Sequence, residues 1–181
     1  FIVTQKALSI DESLASAHAI LGTIYSMMRK HEMAIAAGKR SIELDPNGAM
    51  VHGFLGTILS FAGRQDEAIG YINKAIRLNP FPEYWYFGSL SRCYLLKGQY
   101  EDALKAAKKA LLRNPDASVN HRRLAVIYAL LNRQEEASAA TKKALEIDPS
   151  LSVKSLKHWP FKNQADLKLY ADAMRKAGFP E

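Results

Sequence analysis

The sequence predicts an all-α solenoid, a stack of helix–turn–helix units in place of one central core. Three observations predict it. Prolines recur at Pro46, Pro80, Pro115 and Pro149, separated by 34, 35 and 34 residues. The same interval carries small residues, at Ala34, Ala68, Ala103 and Ala137 and again at Ser41, Ala75, Ala110 and Ala144. Between these markers apolar residues recur at helical spacing, as Val51, Leu55, Ile58 and Leu59 do. Self-similarity at a period near 34 residues marks a solenoid, in which each unit buries its apolar faces only against its neighbours. Such an array offers a surface to partners and seldom houses chemistry.

The elements follow in order. Residues 1–14 read as the second helix of a repeat whose first helix is absent, because Ala7 and Glu12 fall where the frame has its small residue and its proline. The chain is therefore expected to be a piece of a longer one. An apolar face of Phe1, Ile2, Leu8 and Ile10 would be left uncovered there, free to fray or to meet a second copy in self-association. Four full repeats follow at 15–48, 49–82, 84–117 and 118–151, with Glu83 as one inserted residue. In the second, Ala62-Gly63-Arg64-Gln65 closes the first helix, with Gly63 as the left-handed residue that ends it. Asp66 and Glu67 open the next helix, where its dipole favours acids, and Asn79-Pro80 stops it. Gly22, Gly56, Ser91 and Ala125 share one repeat position, where bulk would hold the paired helices apart.

After Leu151 the frame decays, and 152–181 read as a C-terminal capping segment. Residues 152–158 suit a short helix, and Trp159-Pro160-Phe161-Lys162 reads as a break. Asn163 then caps a helix to Ala177, which Gly178 and Pro180 terminate. Leu167, Tyr170, Ala173, Met174 and Ala177 line one face of it, the apolar face a terminal cap turns to the last repeat.

The repeated positions resemble tetratricopeptide repeats (TPR). Leu21, Leu55, Leu90 and Leu124 share one position, and Tyr25, Leu59, Tyr94 and Tyr128 another. The match covers about 140 of 181 residues, with His18, His52, Phe87 and His121 where the family often has Trp. It implies a right-handed superhelix with a capping helix, working as a non-catalytic scaffold that binds a protein or peptide in a concave groove. The tail carries a second resemblance. Pro160-Phe161-Lys162-Asn163 and the closing Arg-Lys-Ala-Gly-Phe-Pro-Glu are similar to the end of bacterial TPR regions attached to class III adenylate cyclases. That likeness implies the C-terminal region of a larger bacterial signalling protein, whose cyclase domain is not in this sequence.

Composition narrows the classes. No apolar run reaches the roughly 18 residues of a membrane span, and no signal-peptide pattern opens the chain. The single Cys93 excludes an intrachain disulfide and fits a reducing, cytoplasmic setting, with Cys93 as a small packing residue. Net charge is +7, mildly concentrated in 84–117 and in the tail. Lys105, Lys108, Lys109 and Arg113 share a helix with Glu101 and Asp102, so a solvated outer face is the plainer reading. Nucleic-acid or other anionic-partner binding through this basic repeat and tail is the alternative, which a steep salt dependence would reveal.

No catalytic set stands out. The sequence has no Gly-x-Ser-x-Gly elbow, phosphate loop or Gly-x-Gly-x-x-Gly fingerprint, so no cofactor is expected. His18, His52 and His121 share a repeat position, but they fall on successive helix pairs with no close i, i+4 partner, which argues packing over metal. A binding groove remains. Carried over from the family, groove positions fall on Met50, Thr57, Trp85, Arg92, Val119, Arg122 and Val126, with Arg123 adjacent. Ser16, Ala19, Thr23 and Ser26 keep the first repeat's share small, as Gly53 and Ser60 do in the second. Arg92 and Arg122 are expected to face solvent and to favour an acidic segment, since a planar guanidinium suits bidentate capture of a carboxylate or phosphate. They equally fit a merely solvated role. Trp85 either anchors a ligand or covers the turn inserted at Glu83.

Overall fold

The computed structural model describes residues 1–181 as ten α-helices and one 3₁₀ turn. The helices are α1 (Ile2–Ile10), α2 (Ala15–Met27), α3 (His31–Leu44), α4 (Ala49–Phe61), α5 (Gln65–Leu78), α6 (Tyr84–Leu96), α7 (Tyr100–Arg113), α8 (Ser118–Leu130), α9 (Gln134–Ile147) and α10 (Gln164–Ala177). The 3₁₀ turn is Val153–His158. Helices α2 and α3, α4 and α5, α6 and α7, and α8 and α9 pack as hairpins, the pairing that the repeat interval predicts.

One device closes all four hairpins. Arg29 (φ 59°), Gly63 (81°), Gly98 (74°) and Asn132 (59°) are left-handed, at the repeat interval. The next N–H of each then reaches back five residues, Lys30 to Tyr25, Arg64 to Leu59, Gln99 to Tyr94 and Arg133 to Tyr128, at 2.9–3.0 Å. These are Schellman closures, which satisfy a carbonyl that the ending helix would leave open. A second device recurs between hairpins. Nε2 of His18, His52 and His121 donates to the carbonyl six residues earlier, on Glu12, Pro46 and Pro115, at 3.0, 2.9 and 2.7 Å. These histidines therefore pin the incoming loops. Within a hairpin, Ser91 Oγ donates to the Ala103 carbonyl at 2.8 Å, and a Cβ on Gly56 would stand 2.5 Å from Ile72. Small residues at this position set how closely the pair approaches.

The chain divides into two compact units. The first contains residues 1–82 and 160–162. Its core gathers Leu55, Ile58, Leu59 and Ile72 around Ala34, Ala68 and Ala75, all nearly without exposure. No residue of α1 is buried, and Ile2, Val3 and Ile10 stand open while Phe1 meets Tyr25 edge-on at 6.2 Å. The segment read from sequence as a break does more than interrupt. Phe161 is 1% exposed and packs edge-to-face on Phe61 at 5.3 Å. The Lys162 N–H donates to the Phe61 carbonyl at 2.9 Å, and Lys162 Nζ reaches Glu32 at 2.9 Å. Residues 160–162 thus form a strap that completes the first unit.

The second unit contains residues 83–159 and 163–181. Its core joins Leu95, Leu104, Leu124, Val126 and Ile127 to Leu156, Tyr170, Met174 and Phe179. Helix α10 packs on α8 and α9, where a following repeat would put its first helix. Asn163 Oδ1 accepts from the Ala165 N–H at 2.9 Å, and Gly178 at φ 93° ends the helix. Polar ties fix it in place. Thr141 Oγ1 donates to the Ala177 carbonyl at 2.9 Å, Val153 N–H to Pro180 at 2.8 Å, and Arg175 bonds both Asp172 and Glu181. Cys93 and Phe87 are buried, and Lys109 Nζ lies over the Phe87 ring at 5.9 Å.

Candidate binding site

The residues proposed for a groove fall in both units and differ sharply in access. In the first, Ala19, Ser26, Gly53 and Ser60 are buried on α2 and α4. Met50 remains 45% exposed and Thr57 half-buried, with Thr57 Oγ1 donating along its own helix to Gly53 at 3.0 Å. In the second, Trp85 and Val119 are half-buried, and Trp85 stands edge-to-face with Tyr86 at 4.2 Å.

Two expectations need correction. Val126 lines nothing open: it has no exposure and belongs to the cluster with Tyr170 and Met174, because α10 covers α8. Arg92, Arg122 and Arg123 do not face solvent either, at 7, 6 and 9% exposure. The covering groups lie outside the repeats. Trp159, at the end of the 3₁₀ turn, lies over the Arg122 guanidinium at 4.6 Å and against Tyr170 at 5.1 Å.

The three arginines are held by their surroundings. A Cβ on Gly88 would fall 2.7 Å from Arg123 Nη2, so only glycine lets that guanidinium lie on the α6 backbone. Asn120 has no exposure and is fixed at both ends of its amide. Its Nδ2 donates to the Ala110 and Asn114 carbonyls at 3.2 and 2.9 Å, and its Oδ1 accepts from Arg123 Nη1 at 2.8 Å. Arg92 Nη2 approaches Ser89 Oγ at 3.5 Å.

Electrostatics make this an expensive arrangement. Burial pushes Arg92 below the ordinary arginine range, with repulsion from Arg122 added and Cys93 and Tyr170 opposing. Burial likewise pushes Arg123 down to about 10, with Arg92 and Arg122 adding repulsion against a partial relief from Tyr170. Elsewhere charge is answered locally, as by Lys105 with Asp102 at 3.0 Å on α7. No three His, Cys, Asp or Glu side chains converge, and no helix is long and apolar enough to cross a membrane.

Sequence reasoning found the arginines but not what holds them. Asn120 offered a weak signal, as a polar residue inside an apolar helical pattern. Tyr170 was legible only as part of the apolar face of α10, and Trp159 offered no signal, since it lies beyond the last repeat.

Comparison with known proteins places the fold. The tetratricopeptide repeat matches twice, over residues 94–159 and over residues 15–47 and 51–82, together more than half of the chain. No curated protein sequence matches. Among solved structures, MamA is 24% identical with a TM-score of 0.65, over 85% of this chain and 87% of its own. PilW, a widely conserved type IV pilus biogenesis factor, is 20% identical with a TM-score of 0.76, over 96% of this chain and 79% of its own. YrrB, a TPR protein with an unusual peptide-binding site, is 18% identical with a TM-score of 0.62, over 96% of this chain and 90% of its own. At these identities the likeness establishes fold alone. Arrays of this kind are non-catalytic scaffolds that present surfaces. The chain belongs to the tetratricopeptide-repeat family.

Proposed function

We propose that this chain is a protein-interaction scaffold whose first-helix faces seat a peptide segment. One observation carries the reading. Within each unit the first helices keep accessible groove positions: Met50, 45% exposed, and half-buried Thr57 on α4 of the first, and half-buried Trp85 and Val119 on α6 and α8 of the second. The fold shared with YrrB, itself a peptide-binding TPR protein, supports it. Such a shallow face binds one segment modestly and gains strength from several contacts at once.

A peptide library displayed on phage and selected against the chain tests this. Enriched peptides should lose at least about tenfold in affinity with Met50→Glu or Trp85→Ala, a loss of about 1.4 kcal/mol. Leu112→Glu should change little, since Leu112 is 83% exposed on α7, away from the first helices. Equal losses in all three variants, or none, would overturn the assignment.

We further propose, from the tail resemblance alone, that the chain is the C-terminal region of a bacterial signalling protein. The closing heptapeptide also has mechanical work here: Gly178 turns the chain, Phe179 is buried, Pro180 accepts from Val153, and Arg175 pairs with Glu181. Reading the coding sequence upstream of Phe1 tests the proposal. A nucleotide-cyclase domain would support it, and repeats alone would end it.

A further inference from the structure

We infer that Arg92, Arg122 and Arg123 form an oxyanion-binding site in the second unit, and that the anion arrives on a peptide. The second clause rests on the scaffold reading above.

The first argument is charge. Three guanidiniums sit within electrostatic reach of one another, each more than nine-tenths buried. No carboxylate lies at ion-pair distance from Arg122 or Arg123. Asp148 feels Arg122 from farther off, and its own Oδ1 already accepts from the Ser150 N–H and hydroxyl. The like charges of Arg122 and Arg123, held away from water with no carboxylate at ion-pair distance, are costly, and a bound anion relieves that cost directly.

The second argument is the donor inventory. Each guanidinium carries five N–H groups in one plane. Arg123 uses one, on Asn120. Arg122 makes no hydrogen bond, and its Nε is sealed from solvent without an acceptor. The terminal nitrogens of Arg122 are not sealed, and the residue keeps 6% of its surface exposed.

The third argument is orientation. Trp159 stacks on the face of Arg122, and the α6 backbone at Gly88 underlies Arg123. Stacking occupies faces and leaves edges, and a guanidinium edge is where two parallel N–H groups meet two oxygens of one anion. Asn120, immobilised by two backbone carbonyls, holds the Arg123 fork in place before any ligand arrives. A carboxylate and a phosphate monoester both present that pair of oxygens, so oxyanion is the shared chemistry.

The test uses the full chain with Trp85→Phe, which leaves Trp159 as the one remaining tryptophan of two. Sodium phosphate is titrated against sodium chloride at equal ionic strength, reading Trp159 emission and Tm. A saturable change with phosphate is expected. Arg122→Gln and Arg123→Met, the latter keeping bulk over Gly88, should each weaken it at least about tenfold. Arg40→Gln should not, because Arg40 is half-exposed and paired with Glu43. Helical content by circular dichroism confirms that each variant folds. Should Arg122→Gln fail to fold, Arg122→Lys keeps the charge, loses the planar fork and should still weaken binding. Phosphate acting no more than chloride, or acting equally on the arginine variants, would overturn the site.

Three otherwise identical peptides from the library selection, bearing Glu, Gln or phosphoserine, then identify the source. Preference for Glu assigns a carboxylate, and preference for phosphoserine assigns a phosphoryl group. Equal binding of the Gln peptide would overturn the peptide-borne anion while upholding the scaffold. Failure of all three would overturn the scaffold reading and leave the phosphate titration to decide the site.

Discussion

Replacing Phe161 by Ala should loosen the first unit although the residue lies far from it in sequence. The ring is 1% exposed, so its removal forfeits about 2–3 kcal/mol of burial. Loss of the edge-to-face pair with Phe61 at 5.3 Å adds about 0.5–1.5 kcal/mol. A total near 3–4 kcal/mol agrees with the usual range for buried Phe→Ala, about 3–5 kcal/mol. The neighbouring ion pair sets the contrast. Lys162 and Glu32 are 52 and 78% exposed, so Lys162→Gln should cost under about 1 kcal/mol. A repeat array need not unfold in one step, so the assay must be local. Amide hydrogen exchange under native conditions is suitable. Protection in α4 and α5 should fall about 100-fold or more in Phe161→Ala, since each 1.4 kcal/mol is tenfold, while α8 and α9 hold. A fall smaller than about tenfold in α4 and α5 would refute the claim that the strap completes this unit.

Two further outcomes follow from the backbone and from a buried ring. Gly63→Ala should destabilise by about 1 kcal/mol, because its φ of 81° penalises any Cβ although nothing lies within 4 Å of one. Gly70→Ala, in α5 with the same open space but helical backbone, should stabilise by about 0.8–1 kcal/mol. Urea midpoints for the two variants would refute the backbone argument if they moved in the same direction. His52 should make the first unit acid-sensitive. Its Nε2–H donates to Pro46 while Nδ1 is buried without a partner, so protonation would bury an unanswered N–H. Burial chiefly holds its pKa down, with Lys74 adding, against the Pro46 carbonyl and Asp45. A base depressed in the fold contributes stability above its unfolded value, near 6.5, and loses it as pH falls through that value toward the folded one. His31 is depressed likewise, by burial first. The urea midpoint should therefore drop between about pH 7.5 and 5, less so in His52→Phe, the residue type that α6 carries as Phe87. An identical drop in that variant would remove His52 from the effect.

Periodic features were legible because each repeat states them again. Gly63 announces its turn, and Asn163 and Gly178 bracket α10, since caps and left-handed positions are local demands on single residue types. The left-handed Arg29 was not legible; only its place in the interval, matched by Asn132, gives it away. The site failed for a different reason. An arginine at a repeat position that usually meets solvent reads as solvated, and nothing within one repeat says that Trp159 will lie on Arg122. Val126 likewise changed role because α10 arrived from outside the frame. Phe161 and Lys162 were read as a break because their partners, Phe61 and Glu32, are separated from them by about a hundred residues or more, beyond the reach of any periodic argument.

The strap also sets the order in which the protein can be finished during synthesis. Repeat arrays ordinarily settle as they emerge, each hairpin resting on the one before. Here Glu32 must wait 130 residues for Lys162. At roughly 5–20 residues per second, that interval is about 6–26 s of translation. For the last 100 residues of it, from Phe61 to Phe161, the Phe61 ring lacks its edge-to-face partner on the nascent chain, a ready place for a chaperone or for a premature partner to bind.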